Sequence, residues 1–184
     1  MKLVILDRDG VINQESPEFI KTPDEWIPVK GSLQAIGRLS QAGYDVVVMT
    51  NQSGIGRNLL SADMLGQIHV RMIDYIQQHG GKIQSILFCP HLPDDGCECR
   101  KPKIGMYKEL ASRLGISFKG VYSVGDSLRD LQAAKAVGAV PVLVKTGNGR
   151  KTQQLLKSGD DGLHNISTFN SLAGFVDALL LDKL

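Results

Sequence analysis

An apolar run, Leu3-Val4-Ile5-Leu6, ends abruptly in Asp7-Arg8-Asp9-Gly10. No other stretch limits the fold so strongly. Successive strand side chains point to opposite faces, so four large aliphatic residues in a row fit a strand covered on both sides. Such strands lie inside parallel sheets, and open α/β sheets bind ligands outside the carboxyl ends of their strands. Asp7 sits at that end. Two carboxylates so close repel unless a cation joins them. Mg²⁺ is the simplest candidate, a hard ion that prefers carboxylate oxygens and keeps waters that a phosphate can replace. Taken alone, the same residues also describe a strand followed by an Asp-rich turn.

The remaining chain alternates strand-like and helix-like stretches, which predicts a doubly wound, mostly parallel, Rossmann-like α/β sheet. Residues 11–28 have no clean period and contain Pro17, Pro23 and Pro28, so they read as an irregular flap over the first acids, with room for a short hairpin. Ser32 is expected to cap a helix through Gln41, stopped by Gly43. Asp45–Met49 form a second buried strand. Ser61 opens a long helix to His79, with Leu65, Ile68, Met72, Ile73 and Ile76 as its apolar stripe and its histidines as packing or surface residues. A third strand, 83–88, leads into the loop 89–99. Further helices are expected over 106–114, 128–137 and 150–157, and further strands over 121–124 and 140–144. After Gly159-Asp160-Asp161-Gly162, a short strand near 163–166 precedes a helix over about 168–181.

At 184 residues with no linker or repeat, the chain is expected to be one domain, 1–184. A net charge of +2 gives no reason to expect nucleic acid or membrane as a partner. No apolar run reaches membrane length, and the first run ends in acids rather than a cleavage site, so the expected location is the cytoplasm. The three cysteines, Cys89, Cys97 and Cys99, fall in one short stretch, which in a reducing compartment favours a metal over a disulfide.

Four strand ends carry polar residues: Asp7 with Asp9, Thr50 with Asn51, Arg100 with Lys101 after the Cys/His loop, and Asp126 with Ser127. In a parallel sheet these ends can converge on one crevice. Acids, a hydroxyl and fixed cations at one rim suit phosphoryl transfer, which needs positioning and charge neutralisation. Asp7-Arg8-Asp9-Gly10, Thr50-Asn51-Gln52-Ser53, Lys101 and Gly125-Asp126-Ser127 with Asp130 resemble, in order and separation, the four motifs of the haloacid dehalogenase (HAD) superfamily. Cys89-Pro90-His91 and Cys97-Glu98-Cys99-Arg100-Lys101-Pro102 narrow the resemblance to its heptose-bisphosphate and histidinol-phosphate phosphatases.

The resemblance implies a set of roles. Asp7 is the nucleophile, forming an aspartyl-phosphate. Asp9 protonates the leaving alkoxide and then activates water, repulsion from Asp7 favouring its protonated form. Thr50 donates to a phosphoryl oxygen. Lys101, rather than Lys103, neutralises the same oxygens and holds the nucleophile. Mg²⁺ is held by Asp7, Asp126 and the Asp9 backbone carbonyl, with Asp130 in support. Arg100 recognises the sugar substrate, binding its non-reacting phosphate. Asn51, Gln52, Ser53 and Ser127 are candidate sugar contacts, with Glu15–Glu18 of the flap beside them; capping and loop hydrogen bonds are the plainer role for Gln52 and Ser53.

Cys89, His91, Cys97 and Cys99 supply three thiolates and one imidazole, a set suited to tetrahedral zinc. Four protein ligands leave no position for water, so this zinc would be structural, clamping the loop that carries Arg100 and Lys101. The segments 10–28 and 51–61 are too short for a cap domain, so a capless site is expected. The implied activity is Mg²⁺-dependent hydrolysis of the C7 phosphate of a heptose 1,7-bisphosphate, supplying heptose 1-phosphate for ADP- or GDP-heptose and surface polysaccharide. The implied partner is a small phosphorylated sugar, and the implied assembly a monomer. Histidinol phosphate is the alternative substrate, and a non-catalytic phosphate-binding or zinc-stabilised module the alternative class.

Overall fold

A computed structural model describes residues 2–158, 163 and 165–182. Six strands form a parallel sheet: β1 Leu3–Leu6, β2 Asp45–Asn51, β3 Ser85–Cys89, β4 Tyr122–Gly125, β5 Val140–Val144 and β6 Ser167–Phe169. Their order is β3-β2-β1-β4-β5-β6. The order reverses between β1 and β4, so the crevice outside that pair is the topological switch point where doubly wound sheets bind ligands. Leu6 pairs with Val124, and the Asp7 N–H donates to the Val124 carbonyl at 2.9 Å. This register sets Asp7 and Asp126 side by side at the switch point.

Six α-helices cover the sheet: α1 Ser32–Gln41, α2 Ala62–Gln78, α3 Gly105–Leu114, α4 Leu128–Ala136, α5 Gly149–Ser158 and α6 Leu172–Leu180. β1 alternates as its sequence requires. Val4 and Leu6 pack with Ile36, Leu39, Ile68, Met72 and Phe175 from α1, α2 and α6. Leu3 and Ile5 pack with Met106, Tyr107, Leu110, Ala133 and Ala134 from α3 and α4. With aliphatic side chains worth roughly 1.5–3 kcal/mol each when buried, this two-sided packing is what fixes β1 at the centre.

The flap is tied into the core. Val11, Ile12, Ile20 and Trp26 are buried, and Asn13 bridges Pro28 in antiparallel sense. Trp26 Nε1 donates to Asn13 Oδ1 at 2.9 Å, and a single 3-10 turn, Pro23–Glu25, is the regular structure inside the segment.

Two element ends differ from expectation. Gly31, at φ +82°, occupies the cap position of α1, and Ser32 begins the helix with its hydroxyl donating to the Ile12 carbonyl at 2.6 Å. Ser32 thereby fastens the helix to the flap instead of capping it. The last strand is Ser167–Phe169, not near 163–166, because its pairing with β5 starts at Val142↔Ser167. The turn expected at Gly159–Gly162 lies outside the described residues. Ser61 does cap α2, accepting from the Met64 N–H at 3.1 Å. Among the described residues, no helix is long and apolar enough to cross a membrane.

Candidate active site

A cleft of about 450 Å³ opens at the carboxyl ends of β1, β2 and β4. Asp7 and Asp9 from the first strand end, Thr50 to Ser53 from the second, Arg100 from the Cys/His loop and Arg129 from α4 line it, with flap residues closing one side.

Lys101 stands immediately behind Asp7, 3% exposed. Its Nζ lies 3.1 Å from Asp7 Oδ1 and 2.7 Å from Asp130 Oδ1, and donates to the Met49 carbonyl at 2.6 Å. The contact to Asp130 is an ion pair by distance without hydrogen-bond alignment. Although burial opposes its charge, Asp130 and Asp7 hold the ammonium well above the ordinary lysine range. Lys103 points elsewhere, onto Glu98 at 2.9 Å and the Gly96 carbonyl. Of the two candidate lysines, Lys101 alone contacts Asp7. Asn51 locks its backbone: Nδ2 donates to the Lys101 carbonyl at 3.1 Å, and Oδ1 accepts from the Lys101 N–H at 3.0 Å.

Asp126 is fully buried. Its Oδ1 accepts from the Ser127 hydroxyl, and its Oδ2 from the Asn148 N–H, both at 2.7 Å. A Cβ at Gly10 or Gly147 would fall 2.0 or 2.2 Å from Asp126 Oδ2, and both glycines have positive φ, so neither position tolerates a side chain. Asp130 Oδ2 accepts from the Ser127 N–H at 3.0 Å, capping α4. Ligand atoms of Asp7, Asp126 and Asp130 lie within 4.8 Å of one another. Three buried carboxylates thus face one buried ammonium. Burial, then the Asp130 charge, pushes Asp7 up to about 8 despite Lys101. This carboxylate excess fits a hard divalent cation with oxygen ligands.

The expectation for Asp9 is corrected. Burial would raise its pKa, but the Arg8 guanidinium and hydrogen bonds from Asn13, Arg8 and Gln52 outweigh burial and hold it below the usual range. Arg8 Nη2 lies 3.0 Å from Asp9 Oδ1, Asn13 Nδ2 donates to the same oxygen at 2.9 Å, and Gln52 Nε2 donates to Oδ2 at 2.8 Å. Repulsion from Asp7 does not win because the Arg8 cation and two amide donors, Asn13 and Gln52, bond Asp9 directly. Arg8 itself is 1% exposed and contacts His69 Nε2 at 3.3 Å. Since arginine only donates, that nitrogen accepts and the imidazole is neutral. Burial, then Arg8, pushes His69 down to about 3.

Three expected substrate contacts already have protein partners. The amide of Asn51 is taken by Lys101. Gln52 joins Asp9, Thr50 Oγ1 at 2.8 Å and Arg8 at 3.1 Å. Ser127 turns its hydroxyl onto Asp126 and does not line the cleft. Ser53 is buried at the cleft wall. Arg100 is half-buried, Nη1 donating to the His91 carbonyl at 3.3 Å. Glu15 accepts from Asn148 Nδ2 at 3.0 Å, joining the flap to the turn before α5.

The Cys/His loop brings its four candidates together. Cys89 Sγ lies 3.6 Å from both His91 Nδ1 and Cys97 Sγ, and His91 Nδ1 lies 3.2 Å from Cys99 Sγ. Metal–sulfur bonds of about 2.3 Å at tetrahedral angles span edges of roughly 3.7 Å, so the cluster has zinc-binding dimensions. The pair-by-pair edges come from residues on both sides of the 92–96 turn.

Residues 98–168 match the HAD-hydrolase-like family. The chain is 58% identical over 152 residues to the D-glycero-beta-D-manno-heptose-1,7-bisphosphate 7-phosphatase of Bordetella bronchiseptica, covering 83% of this chain and 85% of that protein. It is 50% identical over 183 residues to the protein of the same name from Neisseria meningitidis serogroup A, covering 100% and 97%. A crystal structure of the D,D-heptose 1,7-bisphosphate phosphatase from B. bronchiseptica, complexed with magnesium and phosphate, superposes with a TM-score of 0.92 at 52% identity over 99% of both chains. With the fold, the strand-end acids and the Cys/His cluster in place, the chain belongs to the D-glycero-D-manno-heptose 1,7-bisphosphate 7-phosphatase family of HAD-like hydrolases.

Proposed function

We propose that this chain removes the C7 phosphate of D-glycero-β-D-manno-heptose 1,7-bisphosphate. The observation that carries the reading is that Asp7 and Thr50 line one cleft at the switch point, with Lys101 and Asp126 buried beside Asp7. The β anomer follows the names of the relatives.

Asp7 attacks phosphorus and becomes an aspartyl-phosphate, the C7 alkoxide leaving; water then attacks the phosphorus and frees Asp7. Lys101 keeps Asp7 aligned, and the Thr50 hydroxyl donates to a phosphoryl oxygen. As substrate enters and the ion pair with Arg8 loosens, Asp9 takes up a proton from solvent; it gives that proton to the alkoxide and then takes one from the attacking water. Held by Asp7, Asp126 and the Asp9 backbone carbonyl, Mg²⁺ supplies charge against the carboxylate–phosphate repulsion, about 4 kcal/mol per charge pair at 4 Å and an effective dielectric of 20. Asp130 supports that site through Lys101 and Ser127. Arg100 binds the non-reacting phosphate, and Ser53 and Glu15 are placed to meet sugar hydroxyls. Cys89, His91, Cys97 and Cys99 hold a structural zinc that fixes Arg100 and Lys101.

The same reading has one domain acting as a cytoplasmic monomer on a small phosphorylated sugar, its product feeding nucleotide-activated heptose and surface polysaccharide. The near-neutral charge supports the absence of nucleic acid from its partners. Phosphate release with Mg²⁺ from the α and β heptose 1,7-bisphosphates and from histidinol phosphate tests the substrate. The reading expects the highest kcat/KM for the β anomer; a preference for histidinol phosphate would keep the chemistry and replace the substrate.

A further inference from the structure

Arg129 lies three residues beyond Asp126, on the first turn of α4. In the structure it is half-buried and lines the cleft together with Arg100. Its Nε is shielded from water and has no hydrogen-bond partner. Among the described residues, neither Arg129 nor Arg100 has a carboxylate within ion-pairing distance, although the two guanidiniums are near enough to repel. Holding two like charges at one cleft with no carboxylate in direct contact is unfavourable, and a buried donor without a hydrogen-bond partner adds to that. A guanidinium fork matches phosphate oxygens, forming two parallel charge-assisted hydrogen bonds.

We propose that Arg129 is a specificity-determining residue that, opposite Arg100, grips the phosphate of the substrate that does not react. This rests on the bisphosphatase reading above and deepens it. The transferred phosphoryl already has Lys101 and Thr50 beside Asp7. A substrate with an anion at its far end gives the two arginines a hydrogen-bonded anion in direct contact, which no carboxylate of the described residues supplies. The cluster of Asp7, Asp126, Asp130 and Glu15 also attracts Arg129. Were neutralising those acids its whole purpose, its loss would affect every phosphate ester alike.

The test compares kcat/KM for heptose 1,7-bisphosphate with kcat/KM for heptose 7-phosphate, in the wild type, Arg129→Gln and Arg129→Lys. The bis-to-mono ratio is expected to fall about 10–100-fold in Arg129→Gln, the worth of a charge-assisted hydrogen bond. Arg129→Lys, which keeps charge but not the fork, should fall between. Circular dichroism and thermal unfolding establish that each variant is folded. A wild type that prefers the bisphosphate, with variants that lose both activities in proportion, overturns the inference and leaves the reading standing. A wild type with no preference for the bisphosphate overturns both.

Discussion

Replacing Lys101 by methionine removes the one buried ammonium that separates Asp7 from Asp130. At 2.7 Å the attraction of Lys101 to Asp130 is about 6 kcal/mol at an effective dielectric of 20, and that to Asp7 at 3.1 Å about 5 kcal/mol once Asp7 is ionised, above about pH 8 without metal. Desolvation of the ions offsets much of this, and removing one partner of a buried pair costs about 3–5 kcal/mol because the other charge is left uncompensated. For a domain of this size, about 2–4 °C per kcal/mol predicts a Tm drop of about 6–20 °C. The interaction is isolated by a second change, Asp130→Asn. Asparagine keeps an oxygen for the Ser127 N–H and turns an amide donor towards Asp7. The double variant Lys101→Met/Asp130→Asn should therefore recover at least about 1 kcal/mol relative to Lys101→Met alone. Urea unfolding of the four proteins without added metal measures it, with Mg²⁺-dependent phosphate release followed in parallel. Effects that add to within about 0.5 kcal/mol would refute the claim that Lys101 is held by this carboxylate pair.

Cys99→Ser should lower bound zinc, measured by elemental analysis, and reduce Tm, since one of four ligands in the 89–99 loop is lost; wild-type protein that is stable and active without zinc would remove the assignment. His69→Gln tests the buried imidazole. Its folded-state pKa, about 3, lies below the unfolded value near 6.5, so between them the unfolded chain binds more protons. Its contribution is full above about pH 6.5 and lost as pH falls, with a slope of at most about 1.4 kcal/mol per pH unit. Glutamine can still accept from Arg8 and does not titrate, so urea unfolding at pH 7.5, 6 and 5 should show a shallower decline; an unchanged slope would contradict the neutral-histidine account.

Much of the site was legible in the sequence because its residues sit where strands stop. Leu3–Leu6 fixed a central buried strand, and a parallel sheet carries Asp7, Thr50 and Asp126 to one edge whatever the loops do. The Cys/His cluster was legible because four soft ligands fall within eleven residues, 89–99. What escaped depends on folding back across the sheet. Arg8 reads as the spacer between two acids, yet it is buried against His69 of α2 and Gln52, and that pairing sets the charge of Asp9. Arg129 lies on α4 with no motif to mark it, and only the fold brings it to the cleft beside Arg100 and the flap. Gln52 and Asn51 have the chemistry of sugar contacts, but their partners, Asp9 and Lys101, come from other strand ends that linear spacing does not pair. The cap of α1 was misplaced for a local reason: Gly31 adopts a left-handed conformation that frees Ser32 to bond the flap.

The central claim is that Asp7 carries the phosphoryl group. Its most direct test is rapid acid quenching during turnover, followed by borohydride reduction, which converts an aspartyl-phosphate to homoserine, and peptide mass spectrometry. The account predicts homoserine at position 7 in the wild type, and neither homoserine nor phosphate release in Asp7→Asn. Reduction at another residue, or undiminished phosphate release by Asp7→Asn, would contradict it.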